Sequence, residues 1–174
     1  VHGIELWRSD GTAAGTVMVQ DIRAGDQGSG PTHLVELAGV LYFAANDGLS
    51  GYELWRSDGT ASGTRQVLDL NPGANHGVSL SAQSLISYGG RIWFNGVTTN
   101  EGQELWRSDG TASGTNLVAD LYPGPSSSLP YPLVGFNNKV YMQATDGFTG
   151  YELYSSDGTA SGTALVYDIR PGAS

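Results

Sequence analysis

The chain has 174 residues, 39% of them hydrophobic, with 26 Gly, no Cys and a formal charge of −9 from 17 acidic and 8 basic residues. That content supports a folded core with many tight turns, and the lack of Cys excludes disulfides, a thiolate nucleophile and a Cys-ligated metal. Acidity without any Lys/Arg cluster argues against nucleic acid and against an anionic membrane surface as partners.

The chain opens at Val1 without Met or a signal peptide, as expected of a processed chain or an excerpt. No apolar run approaches the ~20 residues needed to span a bilayer, so no membrane insertion is expected. The first phrase encountered is Glu5-Leu6-Trp7-Arg8-Ser9-Asp10-Gly11-Thr12. The same eight residues return at Glu53–Thr60 and Glu104–Thr111, and at Glu152–Thr159 with Tyr154 for Trp and Ser155 for Arg. The starts lie 48, 51 and 48 residues apart. Self-similarity at this period marks a repeat architecture.

Each phrase continues as Ala-x-Gly-Thr, a short β-prone run closing on Asp21-Ile22, Asp69-Leu70, Asp120-Leu121 or Asp168-Ile169, and then a turn. The turns are Ala24-Gly25, Pro72-Gly73, Pro123-Gly124 and Pro171-Gly172. Apolar runs precede the later phrases: Val40–Phe43, Arg91–Phe94 and Val140–Met142. Leu41 stands fourteen residues before Trp55, and Ile92 fourteen before Trp106, so the three extra residues of the middle unit are expected upstream, within Ala74–Leu80.

In the first complete unit the strands are predicted at His33–Leu37, Val40–Ala45, Tyr52–Ser57 and Thr64–Leu70, with turns at Ala38-Gly39, Asn46–Gly48 and Asp58–Gly63. Alternation along these strands is weak, as when both faces are buried. No segment shows a sustained 3.6-residue period, so almost no helix is expected. Four-stranded units of this size are the size of a β-propeller blade. The predicted fold is therefore all-β, about three and a half blades of four antiparallel strands. Residues 1–30 form a half blade (strands three and four), and 31–78, 79–128 and 129–174 form full blades. A right-handed β-solenoid is the alternative.

The repeated polar residues read first as scaffold. In Ser-Asp-Gly-Thr-Ala-x-Gly-Thr, Asp10, Asp58, Asp109 and Asp157 are expected to accept backbone N–H bonds as Asx-turns, with both Gly at positive φ. Glu5, Glu53, Glu104 and Glu152, with Arg8, Arg56 and Arg107 on the opposite strand face, are expected to pair between blades, a Glu or Arg of one satisfied by its neighbour; the alternative is that the glutamates line a channel as a ring of carboxylates.

Candidates for ligand contact are His76, in the expected inserted loop, and the non-repeating aromatics Tyr88 and Trp93, which could stack on sugar if exposed. Asp47 and Asp146 in Asx-Gly loops could donate oxygens to Ca²⁺, the one ion these loops suggest; otherwise no cofactor is implied. No G-x-S-x-G, H-E-x-x-H, P-loop or G-x-G-x-x-G pattern occurs. No catalytic residue is assigned. A glycosidase would need a pair of carboxylates, and the acids outside the repeat (Asp26, Glu36 and Glu101) lie in different units.

These residues resemble the bacterial ELWxxDGT repeat proteins. Their signature, Glu-Leu-Trp-x-x-Asp-Gly-Thr-x-x-Gly-Thr, stands intact at Glu5–Thr16, Glu53–Thr64 and Glu104–Thr115 and departs only at Tyr154 in the fourth copy. The resemblance covers essentially the whole chain. It implies large exported bacterial proteins, a secreted or cell-surface location and no catalytic residues. A looser likeness extends to kelch blades and to the Asp-box turns of sialidase propellers, which transfers fold and not activity. The expected role is a non-catalytic structural or binding module, with a carbohydrate-binding lectin as the alternative and a glycosidase-type enzyme last. Its partner would be a protein or a glycan, the remainder of a longer propeller, or further copies of itself.

Overall fold

The computed structural model describes residues 2–172, and among these it contains fourteen β-strands and no helix. Val1, Ala173 and Ser174, where the first and last predicted units begin and end, lie outside the described residues. Among the described residues no helix is long and apolar enough to cross a membrane.

The strands form four antiparallel sheets in chain order. A two-stranded sheet pairs β1 (Leu6–Arg8) with β2 (Val17–Gln20). The first full sheet contains β3 (Thr32–Leu37), β4 (Val40–Asn46), β5 (Tyr52–Ser57) and β6 (Arg65–Leu68). The second contains β7 (Leu85–Tyr88), β8 (Arg91–Thr98), β9 (Gly102–Ser108) and β10 (Asn116–Ala119). The third contains β11 (Tyr131–Phe136), β12 (Lys139–Ala144), β13 (Glu152–Ser156) and β14 (Ala164–Tyr167). Each full sheet is an up-and-down meander with neighbours in sequence order, so every connection is a hairpin. These antiparallel ladders exclude the β-solenoid alternative, whose coils would pair in parallel.

The fourth strand is shorter than Thr64–Leu70. Leu54 pairs with Leu68 but Trp55 with Gln66, which leaves Val67 as an extra residue in a bulge. The same shift recurs opposite Trp7, Trp106 and Tyr154. Past the bulge the chain leaves the ladder, and the Leu70 N–H finds a side chain instead.

The sheets stack face to face. Phe43, Ala45 and Trp55 on one side of the first full sheet pack on Leu6 and Val19 of the two-stranded sheet. On the other side, Tyr42, Ala44, Leu54 and Val67 pack on Ile92, Phe94 and Trp106 of the second sheet. Trp93, Leu105 and Val118 of that sheet then meet Met142, Ala144 and Tyr154 of the third. Alternate side chains of each strand thus serve two different cores, which is why alternation in the sequence is weak. Outside the sheets, the first strands approach one another: β3 lies against β7 and β7 against β11. The Leu133 N–H donates to the Gln83 carbonyl at 3.1 Å, and His33 Nε2 donates to the Ser81 carbonyl at 2.9 Å.

The extra residues of the middle unit lie further along the chain than expected, overlapping the expected interval only at Ser79 and Leu80. The Gly30, Val78 and Leu129 N–H groups donate to the carbonyls of Ile4, Tyr52 and Gln103, each 26 positions back. The units therefore keep register as far as Val78. The three added residues fall between Val78 and Leu85, in the turn where Ser84 donates to Ser81.

Candidate functional site

The four recurring glutamates form the most constrained polar feature of the molecule. Each lies at the start of its unit's third strand, just before β1 for Glu5 and within the first three residues of β5, β9 and β13 for the others, and each side chain is buried. Glu104 Oε2 accepts from the Leu121 N–H at 3.1 Å and the Ser128 hydroxyl at 2.6 Å, while Oε1 accepts from the Tyr122 and Ser128 N–H groups at 3.3 and 3.0 Å. Glu5 binds Ile22, Arg23 and Ser29 in the same way. Glu152 accepts from Ile169 and Arg170. The glutamate is thus a latch across the segment that leaves strand four and enters the next unit. It meets the N–H groups that the bulge released from the ladder.

The expectation of satisfaction by a neighbouring blade holds for Arg56 and is corrected for the glutamates, as is that of a carboxylate ring. None pairs with Arg among the described residues, where the ion pairs are His2–Asp21 and Arg91–Asp109. Nor do they form an open ring, since each carboxyl is closed over by its own unit. The arginine makes the contact between units instead. Arg56 lies over the Tyr42 ring and donates to the Gly110 carbonyl of the next unit at 3.4 Å.

Glu53 departs from the pattern. The position of Ser29 and Ser128 is Gly77 here, and a Cβ on Gly77 would overlap Glu53 Oε2. Glu53 Oε2 accepts from the Leu70 N–H at 3.0 Å, while the buried Oε1 has no partner. Burial pushes the Glu53 carboxyl up to about 8. Burial also raises Glu104, to about 7, against the opposing hydrogen bonds from Ser128 and Leu121.

The Asp-Gly-Thr turns behave as Asx-turns. Asp58 Oδ1 accepts from the Thr60 N–H at 2.9 Å and the Thr60 hydroxyl at 2.7 Å; Asp10, Asp109 and Asp157 repeat this. Hydrogen bonds from these threonines hold all four carboxyls below the usual carboxylate range. Only the first Gly of each turn has positive φ, 86° at Gly59. The second is Gly for space: a Cβ on Gly63 would overlap Asp58 Oδ1. The expectation of two positive-φ glycines is corrected accordingly.

His76 lies before the inserted residues, not among them. Its Nδ1 accepts the Tyr52 N–H at 3.0 Å and its ring meets the Tyr52 ring edge-on at 5.2 Å. The Ser127 hydroxyl fills the same role for the Gln103 N–H, so His76 ties down a strand end. Trp93 is buried, and its Nε1 donates to the Tyr88 carbonyl at 3.0 Å. Tyr88 packs against the same core, and its hydroxyl accepts the Asn138 N–H at 2.9 Å. Trp93 offers no open ring face to a sugar, and Gly135 lies against one side of the half-buried Tyr88 ring. The three candidates stand apart in structural roles.

Asp47 Oδ1 accepts from the Leu49 and Ser50 N–H groups, both at 2.8 Å, and Asp146 Oδ1 from those of Phe148 and Thr149. Burial raises each carboxyl, but these bonds outweigh it and hold both below the usual range. Among the described residues no group of three or more His, Asp or Glu is disposed to hold a metal. The surface depressions are shallow; one of ≈ 270 Å³ lies between Trp7, Leu41 and Asp58.

The sequence carried a signal for the latch that composition could not supply. Glu recurs with Ser 24 positions on in two units, at Glu5 with Ser29 and Glu104 with Ser128. A repeat spacing between two polar residue types points to a bond between them.

No family model and no curated protein matches the chain. Among solved structures it is similar to the computationally designed protein Ika8, at 16% identity and a TM-score of 0.45 over 87% of this chain. It is likewise similar to the computationally designed Ika4, at 17% identity and a TM-score of 0.46, over 87% of this chain and 79% of that one. The chain spans 40% of the length of the Ika8 chain.

Proposed function

We propose that this chain is a run of β-propeller blades acting as a non-catalytic structural or binding module of a secreted or surface-attached bacterial protein of the ELWxxDGT type. The observation that carries this reading is the use made of the repeated polar residues. Apart from one oxygen of Glu53, the latch glutamates and the turn aspartates are occupied by hydrogen bonds from their own unit, and Arg56 by the next unit. A recurrent phrase that serves its own scaffold leaves function to the surface of the assembled array. The approach of successive first strands supports a propeller, in which those strands line a common axis.

The test is hydrolysis of a panel of glycosides, esters and peptides by the purified chain. The expected result is no turnover; a rate abolished by a single substitution overturns the reading. The lectin reading is tested with the same protein on a glycan array. Repeat-encoded sites there would give multivalent binding strengthened by avidity.

A further inference from the structure

Every internal joint of the stack obeys one contact rule. The aromatic of strand three in one unit packs on the Leu of strand three and the Val of strand four in the unit before it. Trp55 sits on Leu6 and Val19, Trp106 on Leu54 and Val67, and Tyr154 on Leu105 and Val118. The two ends of the stack each hold half of such a joint. Trp7 is 55% exposed where Trp55 is 7%. Leu153 is 38% exposed where Leu54 is 2% and Leu105 is 0%. Val166, in the place of Val67 and Val118, is exposed with it.

The open face extends the same correspondence. Val134, Phe136 and Ile169 are exposed, while the residues in their places in the first full sheet, Val35, Leu37 and Leu70, pack into an inter-sheet core. A contiguous apolar face of this kind on an acidic protein marks a contact surface.

We propose that the outer face of the β11–β14 sheet is a docking surface for a second copy of this chain, which it engages head-to-tail through that copy's β1–β2 sheet. Trp7 of the incoming copy takes on Leu153 and Val166 the seat that Tyr154 takes on Leu105 and Val118. The proposal rests on the reading of the chain as an array of stacked blades, and names that array's partner. Two substitutions make this joint weaker than the internal ones. Ser155 stands where Arg56 reaches the next unit, and Gln143 where Ala44 packs. The incoming sheet also brings two strands instead of four. Each copy carries a charge of −9, so raised salt strengthens the association.

A head-to-tail joint is heterologous, and that gives it a specific test. The mass in solution is measured by sedimentation over a concentration series for the unaltered chain, for Trp7→Glu and for Leu153→Arg, with Val166→Arg as a second tail variant. Both ends are exposed, and each variant's circular dichroism is compared with that of the parent. The unaltered chain is expected to rise from 18.2 kDa to a multiple of it. Each variant alone stays monomeric, and an equimolar mixture of a head and a tail variant gives a one-to-one dimer and nothing larger. A parent that stays monomeric throughout overturns the proposal. So does a Trp7→Glu chain that still dimerises, which would mean tail faces meeting each other. A monomeric parent with no hydrolase activity removes this joint alone and leaves the module reading standing.

Discussion

Glu104→Gln and Glu53→Gln are the same substitution at equivalent positions, yet the structure assigns them different outcomes. Glu104 receives four donors on two oxygens. In the Glu104→Gln variant one of those oxygens becomes NH₂. If the amide oxygen keeps the Tyr122 and Ser128 N–H groups, the NH₂ faces the Leu121 N–H. The Ser128 hydroxyl can turn to accept from that NH₂, but a backbone N–H cannot. One buried donor is stranded, at a cost of about 1–3 kcal/mol. Glu53 receives the Leu70 N–H on one oxygen and nothing on the other, so its Gln variant keeps the one bond and sheds a carboxyl that burial already opposes. Its expected change is under about 1 kcal/mol. Thermal unfolding above pH 8, where both carboxyls are ionised, resolves the two, since 1 kcal/mol moves the midpoint by roughly 2–4 °C in a chain of this size. Equal losses, or a larger loss at position 53, would refute the latch account.

The remaining predictions use the same contacts. Glu53 and Glu104 have folded pKa values of about 8 and about 7, above the ordinary 4.5. The folded state therefore holds protons that the unfolded state has released, and the stability this contributes is complete below pH 4.5 and lost as pH rises through 7 and 8. Urea midpoints should fall over that window, and less steeply in Glu53→Gln; a flat profile would count against the burial account. Gly59→Ala should cost about 1 kcal/mol through strain at positive φ. Gly63→Ala should cost more, because its Cβ meets the Asp58 carboxylate, and adding Asp58→Ala should recover part of that loss in a double-mutant cycle. Leu105→Ala removes a fully buried side chain between two sheets and should cost about 2–5 kcal/mol. Leu153→Ala at the equivalent open position should cost under about 1 kcal/mol in the monomer; similar values for the two would contradict the stacking order.

The repeat made the elements legible because strands and turns are local. Val40–Asn46 and Tyr52–Ser57 follow from β-prone side chains bounded by Asx-Gly turns, and the Asp58 turn from residues two to five positions away. Positive φ at Gly59 and steric exclusion at Gly63 look alike in a sequence, since both ask only for the smallest residue. Tyr88 and Trp93 read as ligand candidates because an aromatic on a strand has the same local signature whether its outer neighbour is water or another sheet.

What the sequence by itself determined is the unit: its four strands, its turns, its period and the pairing of each strand with the next. Hydrogen bonds between neighbouring strands need only short loops, and the residues that set them are close in the chain. The tertiary structure decided the use of the glutamates, of which the sequence held only the Glu–Ser spacing, and it alone decided the position of the added residues after Val78 and which faces are covered. Those features depend on groups 17 or more positions apart, or on a different sheet. A carboxylate's partner, and a leucine's burial, are set by what the folded chain brings against them.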